Sequence, residues 1–280
     1  MALVKTDAIV LRTIDYSETS LIVWLFTREH GRLHVIAKGA RRPRSIFEGA
    51  LEPLVRGELV FYRKAKPDGL ETAKEFDPID LNRGLRSDLA RLHRGLYVAE
   101  LLTELSEHDL PSPTAYVAAS DALRALATDE RVHLDRHVLR VELALLGAGG
   151  LAPVLDRCVR CSGPPFQGDE ERAFFAPGAG GVLCRPHGDG DASTLEVRRP
   201  VLRALLALSL GREGTPDPAQ TLELRRLLDA YLAWHIGKPL RLSRYLAPLV
   251  ARPSPAARPA RPTPASRAEP RRSGARARSS

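Results

Sequence analysis

All three cysteines of this 280-residue chain fall in one short stretch, and their spacing limits the fold more than any other feature. Cys158-Val-Arg-Cys161 is followed by Cys184-Arg-Pro-His187. Two such knuckles, joined by a loop long enough to return on itself, present four ligands to one ion at tetrahedral geometry. The intervening Pro164-Pro165 and Gly178-Ala-Gly-Gly181 supply the turns that this loop needs. A thioredoxin-like redox pair would sit between a strand and a helix, and it would leave Cys184 and His187 without a purpose. Free thiols would leave the spacing itself without one. Cys158, Cys161, Cys184 and His187 are therefore expected to hold one structural zinc ion. Four protein ligands close the site and leave no position for a catalytic water.

The first eighty residues read as strands. Leu3–Arg12, Leu21–Phe26, Arg32–Ala37, Pro53–Arg63 and Leu70–Phe76 are short runs of branched, aliphatic and aromatic residues between turn signals such as Glu29-His-Gly31 and Pro67-Asp-Gly69. Five short strands suit a small barrel, and the pattern fits an OB-fold and an SH3-like barrel equally well. After Asp80 the period changes to about 3.6 residues. Leu85, Leu89, Leu92, Leu96, Ala99, Leu102 and Leu105 form one helical stripe. Ser112-Pro113 opens a second helix through Leu126, and a third runs from Asp135 to Leu146 with Gly147 as its stop. Arg199–Leu210, Gln220–Ile236 and Leu242–Val250 are similarly periodic. The expected organisation is a barrel over 1–80 and a helical domain over 81–250, interrupted by the zinc module at about 156–190. Residues 251–280 are mostly Arg, Pro, Ala and Ser with no larger aliphatic residue, and they are expected to be disordered.

The formal charge of +8 points to an anionic partner, but its distribution matters more. Residues 251–280 hold eight arginines and one glutamate, so the folded body is close to neutral and a working basic patch must be local. Lys38-Gly-Ala-Arg41-Arg42-Pro-Arg44 is such a cluster. Gly39 and Pro43 keep it out of a helix, as a flexible loop able to follow phosphates. Phe47, Phe61 and Tyr62 offer either a stacking surface or barrel core, with core the better reading for at least one. His133 and His137 stand at i and i+4, but the glutamate of a zincin motif is missing, so they read as surface or capping groups. There is no G-x-x-x-x-G-K-[ST] phosphate loop. No apolar run approaches membrane-spanning length, and the N-terminus lacks a signal-peptide core, so a soluble cytoplasmic location is expected.

These motifs, taken in order, resemble the bacterial RecO family of DNA repair proteins. The resemblance runs through Asp15-Tyr-Ser-Glu18, Phe26-Thr-Arg-Glu-His-Gly31 and the segment from Ala37 to Ser45. It continues through the segment from Arg157 to Gly163, Phe174-Phe175 and the segment from Gly180 to Cys184, and closes from Tyr231 to Leu246. It implies an α+β multidomain fold: an N-terminal five-stranded OB-fold β-barrel followed by an all-helical domain with an inserted zinc-finger module. It implies a nucleoid-associated, non-enzymatic recombination mediator that binds single- and double-stranded DNA and anneals complementary strands. The implied partners are RecR, the C-terminal tail of the single-stranded-DNA-binding protein and, indirectly, RecA. Lys38, Arg41, Arg42 and Arg44 become the expected DNA-binding residues. His187 departs from the family pattern, where cysteine is common at the fourth ligand position. The rival readings are a zinc-containing nucleic-acid-processing enzyme and a transcription or translation accessory factor.

Overall fold

The long first strand sets the architecture. Ala2–Asp15 (β1) spans fourteen residues. Its first half pairs with Arg56–Arg63 (β4) and its second half with Leu21–Thr27 (β2), both antiparallel. The register shifts between Val10 and Arg12, and the extra residue bends the strand so that one chain serves both neighbours. Gly31–Ala37 (β3) continues antiparallel from β2, and Glu71–Asp80 (β5) joins β3 in parallel and β4 antiparallel. The closed order is β1-β2-β3-β5-β4. The parallel β3–β5 seam is the Greek-key closure of an OB-fold, which decides between the two barrels the sequence left open. The computed structural model describes residues 2–64, 70–212 and 214–246.

The barrel interior is filled by Ala8, Val10, Val23, Leu25, Leu33, Val35, Leu59, Phe61 and Phe76, with Phe47 and Leu51 closing it from the segment after β3. Phe47 and Phe61 are thus both core residues, and of the three aromatics only Tyr62, 38% exposed, meets solvent. A second set on the barrel, Ile9, Leu11 and Phe26, faces outward into the core of the helices.

Those helices are Leu89–Leu105 (α1), Pro113–Thr128 (α2) and Leu134–Ala148 (α3), followed later by Arg199–Ser209 (α5) and Pro218–Ile236 (α6). The expected stripe from Leu85 is broken at its start. Leu85 lies in a separate 3-10 turn, and the Asp88 carboxylate caps α1 by accepting from the N–H groups of Ala90 and Arg91. Gly147 does not stop α3, which runs one residue further. A capping box of Asp217 and Gln220 starts α6, and Gly237 in the left-handed region ends it. The next expected helix, Leu242–Val250, is a 3-10 turn at Ser243–Tyr245, and its residues from 247 onward lie outside the described residues, as does the expected disorder of 251–280.

The insertion between α3 and α5 is a small antiparallel sheet of Arg172–Ala176 (β6), Gly181–Leu183 (β7) and Leu195–Arg198 (β8), with a one-turn helix at Arg185–Gly188 (α4). Its order is β7-β6-β8, so the interruption of the helical domain reaches past 190 to Arg198.

A linker clamps barrel to helices between α1 and α2. Arg32 N–H donates to the Glu107 carbonyl and the Asp109 N–H donates to the Arg32 carbonyl, extending the edge of β3 with bridges from Gly31 and Arg32 to His108. Gly31 makes this approach feasible, since a Cβ there would lie 2.0 Å from the Leu110 carbonyl oxygen.

Candidate metal centre and nucleic-acid interface

The first knuckle is held on β7 from the side. The Val159 N–H donates to the Val182 carbonyl, and Cys158 and Gly163 close the turn through a backbone bond of 2.8 Å. The second knuckle is the start of α4, where the N–H groups of His187 and Gly188 both donate to the Cys184 carbonyl. Gly188 lets this turn pack on β6, because a Cβ there would lie 2.4 Å from Cβ of Phe174. The two knuckles bring Cys161 Sγ to 3.8 Å from Cys184 Sγ, and His187 Nδ1 to 3.8 Å from Cys158 Sγ and 3.1 Å from Cys184 Sγ. All four donor atoms lie within 4.8 Å of one another. A tetrahedral ion with metal–sulfur bonds of about 2.3 Å requires sulfur–sulfur edges of about 3.8 Å, so the donor set fits a metal ion. Burial opposes ionisation of Cys158, yet backbone N–H groups of Cys184, Cys161 and Arg160 aimed at its sulfur bring its pKa down to about 6. Burial and the neighbouring sulfurs of Cys158 and Cys161 push Cys184 up to about 11. A cation among them would relieve that crowding and favour the thiolates.

The basic segment after β3 is built of successive turns. Arg42 N–H donates to the Gly39 carbonyl, Ser45 N–H to the Arg42 carbonyl and Arg41 N–H to the Thr19 carbonyl in the β1–β2 turn. Phe47 anchors it below, in the barrel core. Lys38, Arg41, Arg42 and Arg44 are all exposed. Arg41 reaches Asp15 at 3.4 Å and the Ser17 carbonyl, while Lys38, Arg42 and Arg44 pair with no carboxylate among the described residues.

Register places two rows of side chains beside this segment. Ile14, Ile22 and Ile36 are cross-strand neighbours on β1, β2 and β3, as are Arg12, Trp24 and His34. Trp24 stacks on His34 with ring centroids 4.4 Å apart, and the Arg12 guanidinium lies 5.7 Å from the Trp24 ring. Burial, with His108 and Arg32 nearby, pulls His34 down to about 4, so its ring is neutral at physiological pH. The isoleucine row is followed by Asp15, Leu21 and Ala37, the positions from which the basic segment departs. Cations and half-buried apolar side chains therefore border one another on the outer β1–β2–β3 face.

Comparison with known proteins sorts these features. The family profile described as "Recombination protein O N terminal" matches residues 1–82, and "Recombination protein O C terminal" matches residues 86–244. The DNA repair protein RecO of Exiguobacterium sibiricum is 34% identical, over 88% of this chain and 97% of its own length. The chain belongs to the RecO family. Similar proteins named DNA repair protein RecO occur in Myxococcus xanthus, at 33% identity over 86% of this chain and 96% of the relative, and in Bacillus subtilis, at 30% over 87% and 94%.

As a RecO-family DNA repair protein, the chain carries functional candidates that sequence reasoning passed over. The half-buried row Ile14, Ile22 and Ile36 is among them, and so is Tyr16, 59% exposed in the β1–β2 turn, whereas Trp24 packs against the helical core and His34 against His108. A signal existed: Leu21 to Phe26 is apolar at every position, whereas a barrel interior needs only alternate residues, so Ile22, Trp24 and Phe26 had to serve a second face. His133, at the start of α3, and His137 within it are local fasteners, with His137 bound to Asp129 at 2.7 Å and His133 to Thr215 at 2.9 Å. Among the described residues no helix is long and apolar enough to cross a membrane.

Proposed function

We propose that this RecO-family protein is a non-enzymatic recombination mediator. It binds single- and double-stranded DNA through the barrel, anneals complementary strands and, with RecR, helps load RecA onto DNA coated by the single-stranded-DNA-binding protein. The observation that carries the reading is the juxtaposition on the outer barrel face. Four exposed cations, three of them with no carboxylate partner among the described residues, border a row of half-buried isoleucines and the exposed Tyr16. Lys38, Arg41, Arg42 and Arg44 hold phosphates, and the half-buried side chains meet the bases. Phosphate contacts fix the strand without reading its sequence, which is what a protein acting on arbitrary gaps requires.

The ion at Cys158, Cys161, Cys184 and His187 is zinc in this reading, chosen for three thiolates and one imidazole at tetrahedral spacing. Bound there, it supplies a cross-link and no reactive position, because the four protein ligands complete its shell. The working location is the cytoplasm, at the nucleoid.

Annealing of complementary labelled oligonucleotides tests the function. The unaltered protein should accelerate annealing, and an Arg41→Ala, Arg42→Ala pair should slow it with the fold unchanged by circular dichroism. Turnover of labelled single-stranded DNA with Mg²⁺ would instead favour a processing enzyme, and preference for RNA or RNA polymerase would favour an accessory factor.

A further inference from the structure

The segment that closes the described chain has been given no role, although the charge of the whole protein is concentrated from there onward. Residues 1–229 hold thirty-one Lys/Arg and thirty-three Asp/Glu, while residues 230–280 hold eleven Lys/Arg and one Asp/Glu. The first three of those eleven, Lys238, Arg241 and Arg244, lie on a strap fastened across α1.

The fastening is specific. Leu240 and Leu246 are buried at either end of the strap. Between them the Glu100 carboxylate accepts the backbone N–H groups of Arg241 and Leu242, at 2.7 and 2.9 Å. Glu104 takes the Lys238 ammonium at 2.9 Å. The two carboxylates beneath the strap are thus already engaged. Arg241 and Arg244 are exposed, and neither pairs with a carboxylate among the described residues. Tyr245, 44% exposed, packs against His93 with centroids 4.9 Å apart, and the Arg244 guanidinium lies 4.8 Å from the tyrosine ring. The backbone is held so that two guanidinium groups and an aromatic pair are presented together, with little freedom left to lose on binding.

We propose that this strap is a second nucleic-acid contact, in which Arg241 and Arg244 take phosphates of a single strand and Tyr245 with His93 stacks on a base. The chemistry is that of single-strand binders, cations along a backbone path with an aromatic beside it. The inference rests on the nucleic-acid reading of the barrel face and adds a surface separate from it in sequence. Two surfaces on one molecule would let it hold two strands at once, which annealing demands.

The test uses the full chain throughout, so that the charge of residues 251–280 is constant. Binding of a labelled oligothymidine is titrated by fluorescence anisotropy at several salt concentrations. Each phosphate contact contributes about −0.7 to the slope of log affinity against log salt, so Arg241→Ala, Arg244→Ala should flatten it by about 1.4. Between 50 and 200 mM salt the variant should then lose about seven-fold less affinity than the unaltered protein. Combined with Arg41→Ala, Arg42→Ala, the flattening should reach about 2.8, and Arg241→Lys, Arg244→Lys should keep most of the slope. An unchanged slope in the strap variant, beside a flattened one in the loop variant, would overturn the strap while leaving the barrel reading intact. Absence of oligothymidine binding by the unaltered protein would overturn both. If the strap variant kept its slope but lost retention on immobilised polyglutamate, the surface would belong to an acidic protein segment, and the proposal would fail.

Discussion

The barrel and the metal module are both built from strands in largely antiparallel pairing, yet they reach closure in different ways. The barrel pairs every strand with two neighbours and encloses a core in which Val10, Leu25, Leu33, Phe61 and Phe76 are essentially inaccessible. The module's sheet has three short strands; one side sends Ala173, Phe175, Val182 and Val197 into the helical core, and the cluster around the knuckles is Cys158, Ala176, Leu183 and Cys184. Two of those four are candidate metal ligands. A cluster of that size cannot offset the entropy of ordering the two knuckles, whereas an ion that binds only the folded arrangement can. The barrel is held by burial, whereas the knuckle side of the module has a small core and a donor set that fits a metal ion, and the difference predicts separate failures.

The largest effect should follow removal of the ion. Structural zinc contributes on the order of 10 kcal/mol or more in small zinc modules, so chelation or Cys158→Ser should unfold the module locally. Hydrogen exchange should accelerate across the knuckles at residues 156–163 and 184–190 and leave β1–β5 protected, with near-stoichiometric zinc by elemental analysis before treatment and none after. Retention of metal by a Cys158→Ser, Cys184→Ser double variant would break the comparison from the module's side. In the barrel the corresponding injury is a cavity. Phe61→Ala should cost about 3–5 kcal/mol, read as a lower denaturation midpoint, and this loss should be independent of chelator.

A smaller effect should come from the clamp between barrel and helices. His34 has its folded-state pKa depressed to about 4, against an ordinary value near 6.5, because burial disfavours its charged form. The unfolded chain binds the extra proton between those values, so the contribution is fully present above about 6.5 and is lost as pH falls towards 4. The melting temperature of the unaltered protein should decline over that window more steeply than that of His34→Gln. Parallel profiles would remove His34 from the acid response.

Much of this comparison was legible in the sequence, for reasons that differ between the regions. The candidate ligand set was readable because coordination chemistry fixes both residue type and local spacing, so the grouping of Cys158, Cys161, Cys184 and His187 needed no tertiary knowledge. The five strands were readable from turn signals and branched residues, although only the parallel β3–β5 seam could decide the barrel type. What stayed hidden depends on contacts between distant segments. The Asp88 cap that detaches Leu85 from α1 could have been anticipated from local sequence, but the Glu100 carboxylate that holds Arg241 and Leu242 could not. The third strand of the module, Leu195–Arg198, is short and carries Glu196 and Arg198 among its four residues, so it gives almost no periodic signal. Trp24 and His34 meet only through the β2–β3 register, which a linear reading does not supply.

The central claim is a division of labour, in which the barrel face meets nucleic acid and the module holds the fold. The most direct measurement compares oligothymidine binding across salt concentrations for the unaltered protein, Cys158→Ser, and the Arg41→Ala, Arg42→Ala pair, with hydrogen exchange reporting the state of the barrel in each. The account predicts that the loop pair flattens the slope by about 1.4, while Cys158→Ser leaves it unchanged per molecule with a folded barrel. A slope that collapses in Cys158→Ser with the barrel still protected, and stays the same in the loop pair, would contradict it and move the nucleic-acid path onto the metal module.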